Sequence, residues 1–258
     1  MSDFIPYIII FVIGAVIGSF LNVCIYRVPR NLSIISPASR CPSCNMPIKP
    51  YDNIPFLSYI LLGGKCRVCK AGISFRYPLV ELLNAVLFVF VVWRFGFAWH
   101  TVIYGILCSA LVVITFIDLD FQIIPDAITL PGILIGIVAG SLLMPDPFIR
   151  TSLLGFKASV IGLLAGGGLF YAIAVLSRGG MGGGDIKMMA MVGALMGWKS
   201  VLLTIFLGSL TGAVFGIFLM ISKGKGRKTK IPFGPFLALG TVITLFYGQE
   251  IFSWYFYR

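Results

Sequence analysis

The sequence predicts an all-α, polytopic membrane protein with about eight transmembrane helices and a small cytoplasmic zinc-binding insert. Of its 258 residues, 59% are hydrophobic and only 11% are charged. The mean hydropathy is +1.00, which is far above that of a soluble globular domain. The apolar residues form long runs, and about 20 such residues are enough for a helix to cross a hydrocarbon core of roughly 30 Å. Because backbone groups in lipid must be hydrogen-bonded within their own segment, we expect these runs to be helical.

Eight apolar segments fit this expectation. They cover residues 4–26, 79–98, 101–117, 127–144, 152–176, 186–197, 200–221 and 232–249. The sixth segment is the shortest and the weakest. The first has no basic stretch before it and no small-residue cleavage site after it, so we expect a retained helix and not a signal peptide.

The basic residues indicate how the spans are oriented. If the spans alternate from an outside N-terminus, fifteen of the 20 Lys and Arg residues fall inside and five outside. Eight of the inside residues lie between positions 27 and 76, and five lie between positions 223 and 230. Cytoplasmic loops carry such an excess. We therefore expect both termini outside and the 28–78 loop in the cytoplasm, where anionic lipid accounts for the charge without a nucleic-acid partner.

The 28–78 segment is the one sizeable polar region, and it contains four cysteines at metal-binding spacing. A domain this small needs a stabilising cross-link. The motifs CPSC and CRVC, 21 residues apart, place two cysteine pairs on tight turns, and their members are Cys41, Cys44, Cys66 and Cys69. Two such turns can build a tetrahedral four-thiolate zinc site. We predict a structural four-cysteine zinc site, because no histidine lies nearby to suggest an open catalytic position.

Other interpretations of the cysteines are free thiols or redox-active pairs. Two disulfides are not expected in a reducing cytoplasm. Cys24 and Cys108 lie in apolar spans and are expected to be small packing residues.

The acidic residues are few, and most have peripheral positions. The chain has nine. Asp3, Asp146 and Glu250 are expected near the outer face, and Asp52 and Glu81 belong to the polar insert and its exit. The remaining four, at the cytoplasmic ends of spans, are Asp118, Asp120, Asp126 and Asp185. Ionisable groups at membrane depth are costly and are candidates for function.

Asp118 and Asp185 are expected at one membrane depth on the same side. Two carboxyl groups brought close together share one proton more easily than both ionise. Such a pair can activate a water and protonate a leaving amide nitrogen, which is the chemistry of an aspartic protease. The glycines that precede Asp185 would let a peptide backbone approach closely.

Simpler interpretations of these carboxylates also exist. Asp185 could be a helix N-cap, and Asp126, which follows Pro125, is well explained as the N-cap of the fourth span. Asp120 either supports the site or faces solvent. On a wider view, the chain could be a small transporter that uses Asp118 and Asp185 as proton carriers, or an assembly factor whose insert binds cytoplasmic proteins.

Several longer motifs occur together in an order that is typical of one family. They are GSFLNVCIYRVPR (18–30), the double CxxC insert, RYPLVELL (76–83), FIDLDFQIIPD (116–126) and GMGGGDIKMMAMVGALMGW (180–198). This sequence resembles the bacterial type IV prepilin leader peptidases and N-methyltransferases, which are aspartic peptidases with a Gly-x-Gly-Asp pattern. The resemblance extends over nearly the whole chain.

The resemblance implies site residues and a division of the chain. The catalytic aspartates would be Asp118 and Asp185. Gly64 and Lys65 match a segment associated with methyl transfer, although no glycine-rich motif for S-adenosylmethionine is visible. The implied parts are a first transmembrane helix (1–27), a cytoplasmic four-cysteine insert associated with methyl transfer (28–78) and a multispan aspartic peptidase domain (79–258).

The resemblance also implies substrates and a location. The enzyme would cleave the short basic leader of type IV prepilins and type II secretion pseudopilins after its terminal Gly, at the cytoplasmic membrane face. It would then methylate the new N-terminal residue, usually Phe, with S-adenosylmethionine. The implied location is the bacterial inner membrane, with periplasmic termini and with prepilins and membrane lipids as partners.

Overall fold

The computed structural model describes residues 4–178, 180–223 and 231–256. It contains helices and turns, and the described residues form no β-strand beyond three isolated bridges. The all-α prediction is therefore confirmed. Asp3, Gly179, Arg258 and most of the basic loop between 222 and 231 lie outside the described residues.

Eight α-helices are present in the described chain. They are α1 (Ile5–Arg27), α2 (Leu57–Leu61), α3 (Arg76–Phe95), α4 (Trp99–Phe121), α5 (Asp126–Leu142), α6 (Gly155–Leu176), α7 (Gly183–Lys223) and α8 (Gly234–Phe256). Two short 3-10 helices, Val28–Arg30 and Pro50–Asn53, lie in the polar region between α1 and α3.

The long helices match the predicted spans. Six helices of the described chain are long and apolar enough to cross a membrane, and α5 is a shorter apolar helix. The 41-residue helix α7 contains the sixth and seventh predicted segments, and it is kinked between them at Gly197, whose φ is 77° and ψ is 170°. All eight predicted segments are thus helical, and the protein is a multi-pass membrane protein.

The first compact unit, Met1–Val113, depends on close packing of α1 against α3. Gly14 and Gly18 lie so near α3 that a Cβ on either would come within 2.8 Å of a backbone Cα atom. At the same contact, Asn84 Nδ2 donates to the carbonyl of Gly14 at 2.7 Å, and Ser109 Oγ donates to Asn84 Oδ1 at 2.9 Å. Small residues and polar side chains of this kind hold helices together in membranes.

The polar insert is part of this first unit, because its two ends continue into α1 and α3. The division into 1–27, 28–78 and 79–258 follows the polar region and stays a prediction.

The second compact unit, Ile114–Arg258, is packed around the first arm of α7. Gly162 and Gly166 on α6 face the carbonyl oxygens of Gly193 and Met189, and Ser159 Oγ donates to the carbonyl of Ala194 at 2.6 Å. Glycines on α5 meet the same arm. A glycine-lined seam therefore fixes the helix whose first turn contains Asp185.

We expect Gly166→Ala to destabilise the protein, whereas Gly168→Ala should not. A Cβ at Gly166 would overlap the α7 backbone, and one at Gly168 on the same helix meets nothing within 4 Å. Overpacking costs about 1–3 kcal/mol, so the melting temperature of the detergent-purified protein should fall by roughly 3–10 °C. Equal melting temperatures for the two variants would contradict the proposed seam.

Candidate active site and cysteine cluster

Asp118 lies near the C-terminal end of α4 and is 5% exposed. Its Oδ2 atom accepts a hydrogen bond from the backbone N–H of Gly234, the first residue of α8, at 2.9 Å. A Cβ at position 234 would be 2.7 Å from Oδ2. Only glycine therefore lets the α8 backbone come close enough to hold this carboxylate.

The first turn of α7 brings Asp185 within electrostatic range of Asp118. Asp185 is the third residue of that helix, and its carboxylate accepts a hydrogen bond from the N–H of Gly182. The carboxyl groups of Asp185 and Asp118 lie close enough for their charges to interact directly. Asp185 is thus not the N-cap residue, although it does bond back to the N-terminal end of its helix.

The glycines before Asp185 are not equivalent. A Cβ at Gly184 would lie 2.6 Å from the Cβ of Ile124, which belongs to the loop between α4 and α5, while a Cβ at Gly183 meets nothing within 4 Å. The conformation at Gly184 therefore brings Asp185 close to the loop that follows Asp118. Position 183 is open, in agreement with the unrestricted position of the Gly-x-Gly-Asp pattern.

The interpretation of Asp126 as an N-cap is wrong. Pro125 occupies the N-cap of α5, and Asp126 is the first helical residue. Its carboxylate instead binds Lys187 Nζ, with distances of 2.6 and 2.7 Å to the two oxygens. Proline suits this boundary because its extended ψ of 132° is that of an N-cap, and the carboxylate is left to connect α5 with α7. Asp120 is at an exposed position on α4.

The four insert cysteines form one cluster. Their sulfur atoms all lie within 4.8 Å of one another, and the Sγ atoms of Cys41 and Cys69 are 3.8 Å apart. In a tetrahedron with metal–sulfur bonds of about 2.3 Å, neighbouring sulfurs are about 3.8 Å apart. The cluster therefore fits a zinc ion with side-chain movements of at most about 1 Å.

Each cysteine pair lies on the same kind of turn. The N–H of Asn45 donates to the carbonyl of Cys41 at 2.8 Å, and the N–H of Lys70 donates to the carbonyl of Cys66 at 3.0 Å. Asn45 and Lys70 both have positive φ, 58° and 60°. The two turns are equivalent, and together they point four sulfurs at one centre.

The electrostatics of the cluster also favour a bound cation. Backbone N–H groups of Cys44 and Ser43 hydrogen-bond the Cys41 sulfur and lower the pKa of its thiol to about 6. Cys69 accepts from the N–H of Ala71, yet partial desolvation and the three neighbouring sulfurs raise its pKa to about 11. Four sulfurs this close ionise together only with a positive ion between them.

Gly64 and Lys65 lie at the base of the second cysteine turn. The carbonyl of Gly64 accepts from the N–H of Ile73 at 2.7 Å, and Lys65 forms an isolated bridge with Gly72. Gly64 has a φ of 66°, so glycine is favoured there. Their role in methyl transfer stays a prediction.

Glu81, which the sequence assigns to the exit of the polar insert, is a buried carboxylate. It lies in α3, is 8% exposed, and its Oε2 accepts from the N–H of Phe56 at 3.0 Å. The hydroxyl of Ser19 also lies within hydrogen-bonding reach. The signal in the sequence is its position three residues inside the apolar segment 79–98, where a carboxylate is costly.

Comparison with known proteins identifies the family. Residues 12–95 match the bacterial peptidase A24 N-terminal domain, and residues 105–217 match the type IV leader peptidase family. The chain belongs to the type IV leader peptidase family. The resemblance stated above is thereby confirmed. No solved structure matches the chain significantly.

Relatives of known name agree with this membership. A Pseudomonas aeruginosa protein named prepilin leader peptidase/N-methyltransferase is 36% identical, over 93% of this chain and 89% of its own length. A protein of the same name from Aeromonas salmonicida is 38% identical, over 96% of this chain and 92% of its own length. Another, from Neisseria gonorrhoeae, is 36% identical, over 88% of this chain and 86% of its own length. The family members therefore match both compact units.

We expect the purified protein to carry one metal ion per chain, and Cys44→Ser to lose most of it, because a three-thiolate set is incomplete. Cys24→Ser is the matched control, since Cys24 lies in α1 and outside the cluster. Inductively coupled plasma mass spectrometry measures the metal content and identifies the metal. Equal metal content in the two variants would show that the cluster is not the binding site.

Proposed function

We propose that this protein is a prepilin leader peptidase and N-methyltransferase. It cleaves the leader of type IV prepilins and type II secretion pseudopilins after the terminal Gly, and it methylates the new N-terminal residue. The observation that carries the peptidase part is the proximity of two carboxylates, Asp118 and Asp185, at helix ends within one compact unit. The names of the relatives support both activities.

The paired carboxylates can perform peptide hydrolysis. One carboxylate takes a proton from a water molecule, which attacks the carbonyl carbon of the leader Gly, and the protonated partner gives its proton to the leaving nitrogen of the next residue. Backbone N–H groups of Gly234 and Gly182 orient the two side chains. The open space at Gly183 leaves room for the backbone of the substrate.

The basic leader is held mainly by the lipid surface. Asp52, Asp120 and Asp126 are the acidic candidates for binding it. Asp52 contacts Arg67 at 2.6 Å and Asp126 contacts Lys187 at 2.6 Å, whereas Asp120 is at an exposed position. With two of the three carboxylates paired, anionic lipid is the larger source of negative charge, and each basic residue gains about 1 kcal/mol near such a surface.

The insert holds a structural zinc ion through Cys41, Cys44, Cys66 and Cys69, whose spacing supports this metal. S-adenosylmethionine, when bound, supplies an electrophilic methyl group to the N-terminal amine. Gly64 and Lys65 are the candidate residues for methyl transfer, because they match the family segment and their turn is fixed by the second cysteine pair.

The location that we assign to the protein is the inner membrane, with the site on the cytoplasmic side and both termini in the periplasm. The excess of basic residues in the loops assigned to the cytoplasm supports this orientation.

We expect Asp118→Asn and Asp185→Asn each to lower the rate of prepilin cleavage at least about a hundredfold, since each removes one partner of an acid–base pair. Asp120→Asn should keep a measurable part of the activity, because Asp120 is exposed. Cleavage is followed by the mobility shift of a prepilin incubated with each purified variant. Full activity in Asp185→Asn would refute the paired-carboxylate mechanism.

Gly184→Ala should lower the cleavage rate much more than Gly183→Ala. The added methyl group at 184 must displace Ile124, and that displacement shifts Asp185, whereas the methyl group at 183 points into open space. A displacement of about 1 Å at a catalytic group can cost about a hundredfold in rate. Similar rates for the two variants, measured with the same prepilin, would show that the glycines do not position Asp185.

A further inference from the structure

A groove separates the outer face of α1 from the polar insert in the first unit. Its volume is about 720 Å³, within the range of ligand-binding clefts. One wall is formed by Val16, Ser19 and Phe20 of α1, and the opposite wall by insert residues that include Ile35 and Pro55. Val16 and Phe20 are about half exposed on a membrane-spanning helix, so the apolar side of the groove is open to lipid.

Glu81 lies directly behind this groove. Ser19, which lines it, is within hydrogen-bonding reach of the Glu81 carboxylate. Pro55 also lines it, and the N–H of the next residue, Phe56, donates to Glu81 Oε2 at 3.0 Å. Glu81 thus lies behind the lining of the groove, within reach of Ser19 on one wall and next to the chain segment that forms the other wall.

Within the described residues, this carboxylate has hydrogen bonds but no ion-pair partner. No lysine or arginine forms an ion pair with Glu81 among the residues that the structure describes. An acidic side chain buried in a membrane-spanning helix is expensive, and such a group marks a candidate substrate or ion site. Arg27 is engaged elsewhere, at the mouth of the groove, where it donates to the carbonyls of Ser33 and Pro37 at 2.8 and 2.7 Å.

We propose that this groove binds the amine end of the cleaved pilin segment, with Glu81 opposite the ammonium group and the apolar side chains that follow packed along Val16 and Phe20. The proposal rests on the proposed function, which supplies a substrate whose new N-terminus is an ammonium group on an apolar helix. Such a segment lies in the membrane, and this groove is open to lipid on its apolar side.

The depth of the site agrees with this occupant. Ser19 precedes Arg27, at the end of α1, by eight residues, which corresponds to about 12 Å along a helix axis. An ammonium group held there is below the mouth of the groove, and the apolar segment extends from it alongside α1. S-adenosylmethionine is a polar, water-soluble molecule. A groove that is open to lipid therefore fits it less well than it fits an apolar peptide segment.

The test measures binding, and it needs no turnover. The ligand is a labelled synthetic peptide with an N-terminal Phe and an apolar segment, offered with a free amine and with an acetylated amine to the detergent-solubilised full chain. The variants are Glu81→Gln, whose side-chain oxygen can still accept from Phe56, and Asp146→Asn, which makes the same charge change in the second unit. Melting temperatures check that both variants are folded.

We expect the wild type and Asp146→Asn to bind the free-amine peptide at least about tenfold more tightly than the acetylated peptide, as for hydrogen-bonded charged groups. In Glu81→Gln this ratio should fall to about one. The peptides also partition into detergent micelles, but this contribution is the same for every variant. It therefore cancels when the ratio for Glu81→Gln is compared with the ratio for the wild type or Asp146→Asn.

A ratio that persists in Glu81→Gln, or a ratio of one in the wild type, would overturn the proposal. So would a loss of S-adenosylmethionine binding in Glu81→Gln with the peptide ratio unchanged, which would assign the groove to the methyl donor. Prepilin cleavage by the wild type is assayed separately. Its absence would count against the proposed function, whereas the peptide ratio tests the groove alone.

Discussion

The interior of a membrane offers no water, so every buried polar group of this chain must find its partner within the protein. Close approach of helix backbones at glycine positions satisfies much of that constraint. Gly14 and Gly18 let α1 reach α3, and Gly162 and Gly166 let α6 reach α7. At Gly234 the same device brings a backbone N–H to the carboxylate of Asp118. Glycine positions therefore serve both the packing of the helices and the construction of the candidate site.

Much of this arrangement could be predicted from local patterns. The apolar segments, the four-cysteine insert and the interaction between Asp118 and Asp185 follow from hydropathy, spacing and alternation of spans. Helix ends are less predictable: the third apolar segment ends at residue 117, and α4 continues to Phe121 with two aspartates in its last turns. An apolar segment defined by hydropathy ends before the first carboxylate, but the helix can continue beyond it where the polar side chains have hydrogen-bond partners or water.

The sequence does not predict the partners of carboxylates that are distant along the chain. The local pattern assigns Asp126 to a cap because Pro125 precedes it, but its partner Lys187 is 61 residues away. The same kind of pattern assigns Glu81 to the exit of the insert, and its partner Phe56 is 25 residues away in a segment without periodicity. Both carboxylates have roles that only the tertiary structure reveals, because no local pattern encodes such pairings.

The cysteine turns have a consequence for the membrane-spanning part of the first unit. Residues 41 to 69 form a loop closed at both ends by the sulfur cluster, and Phe56, whose N–H holds Glu81, lies inside that loop. A metal bound at the cluster restricts the conformations of the whole loop, including the residue that solvates the buried carboxylate. Where the cluster holds a metal, its affinity and the environment of Glu81 are thermodynamically linked, so that removal of the metal also weakens the hydrogen bond from Phe56 to this carboxylate.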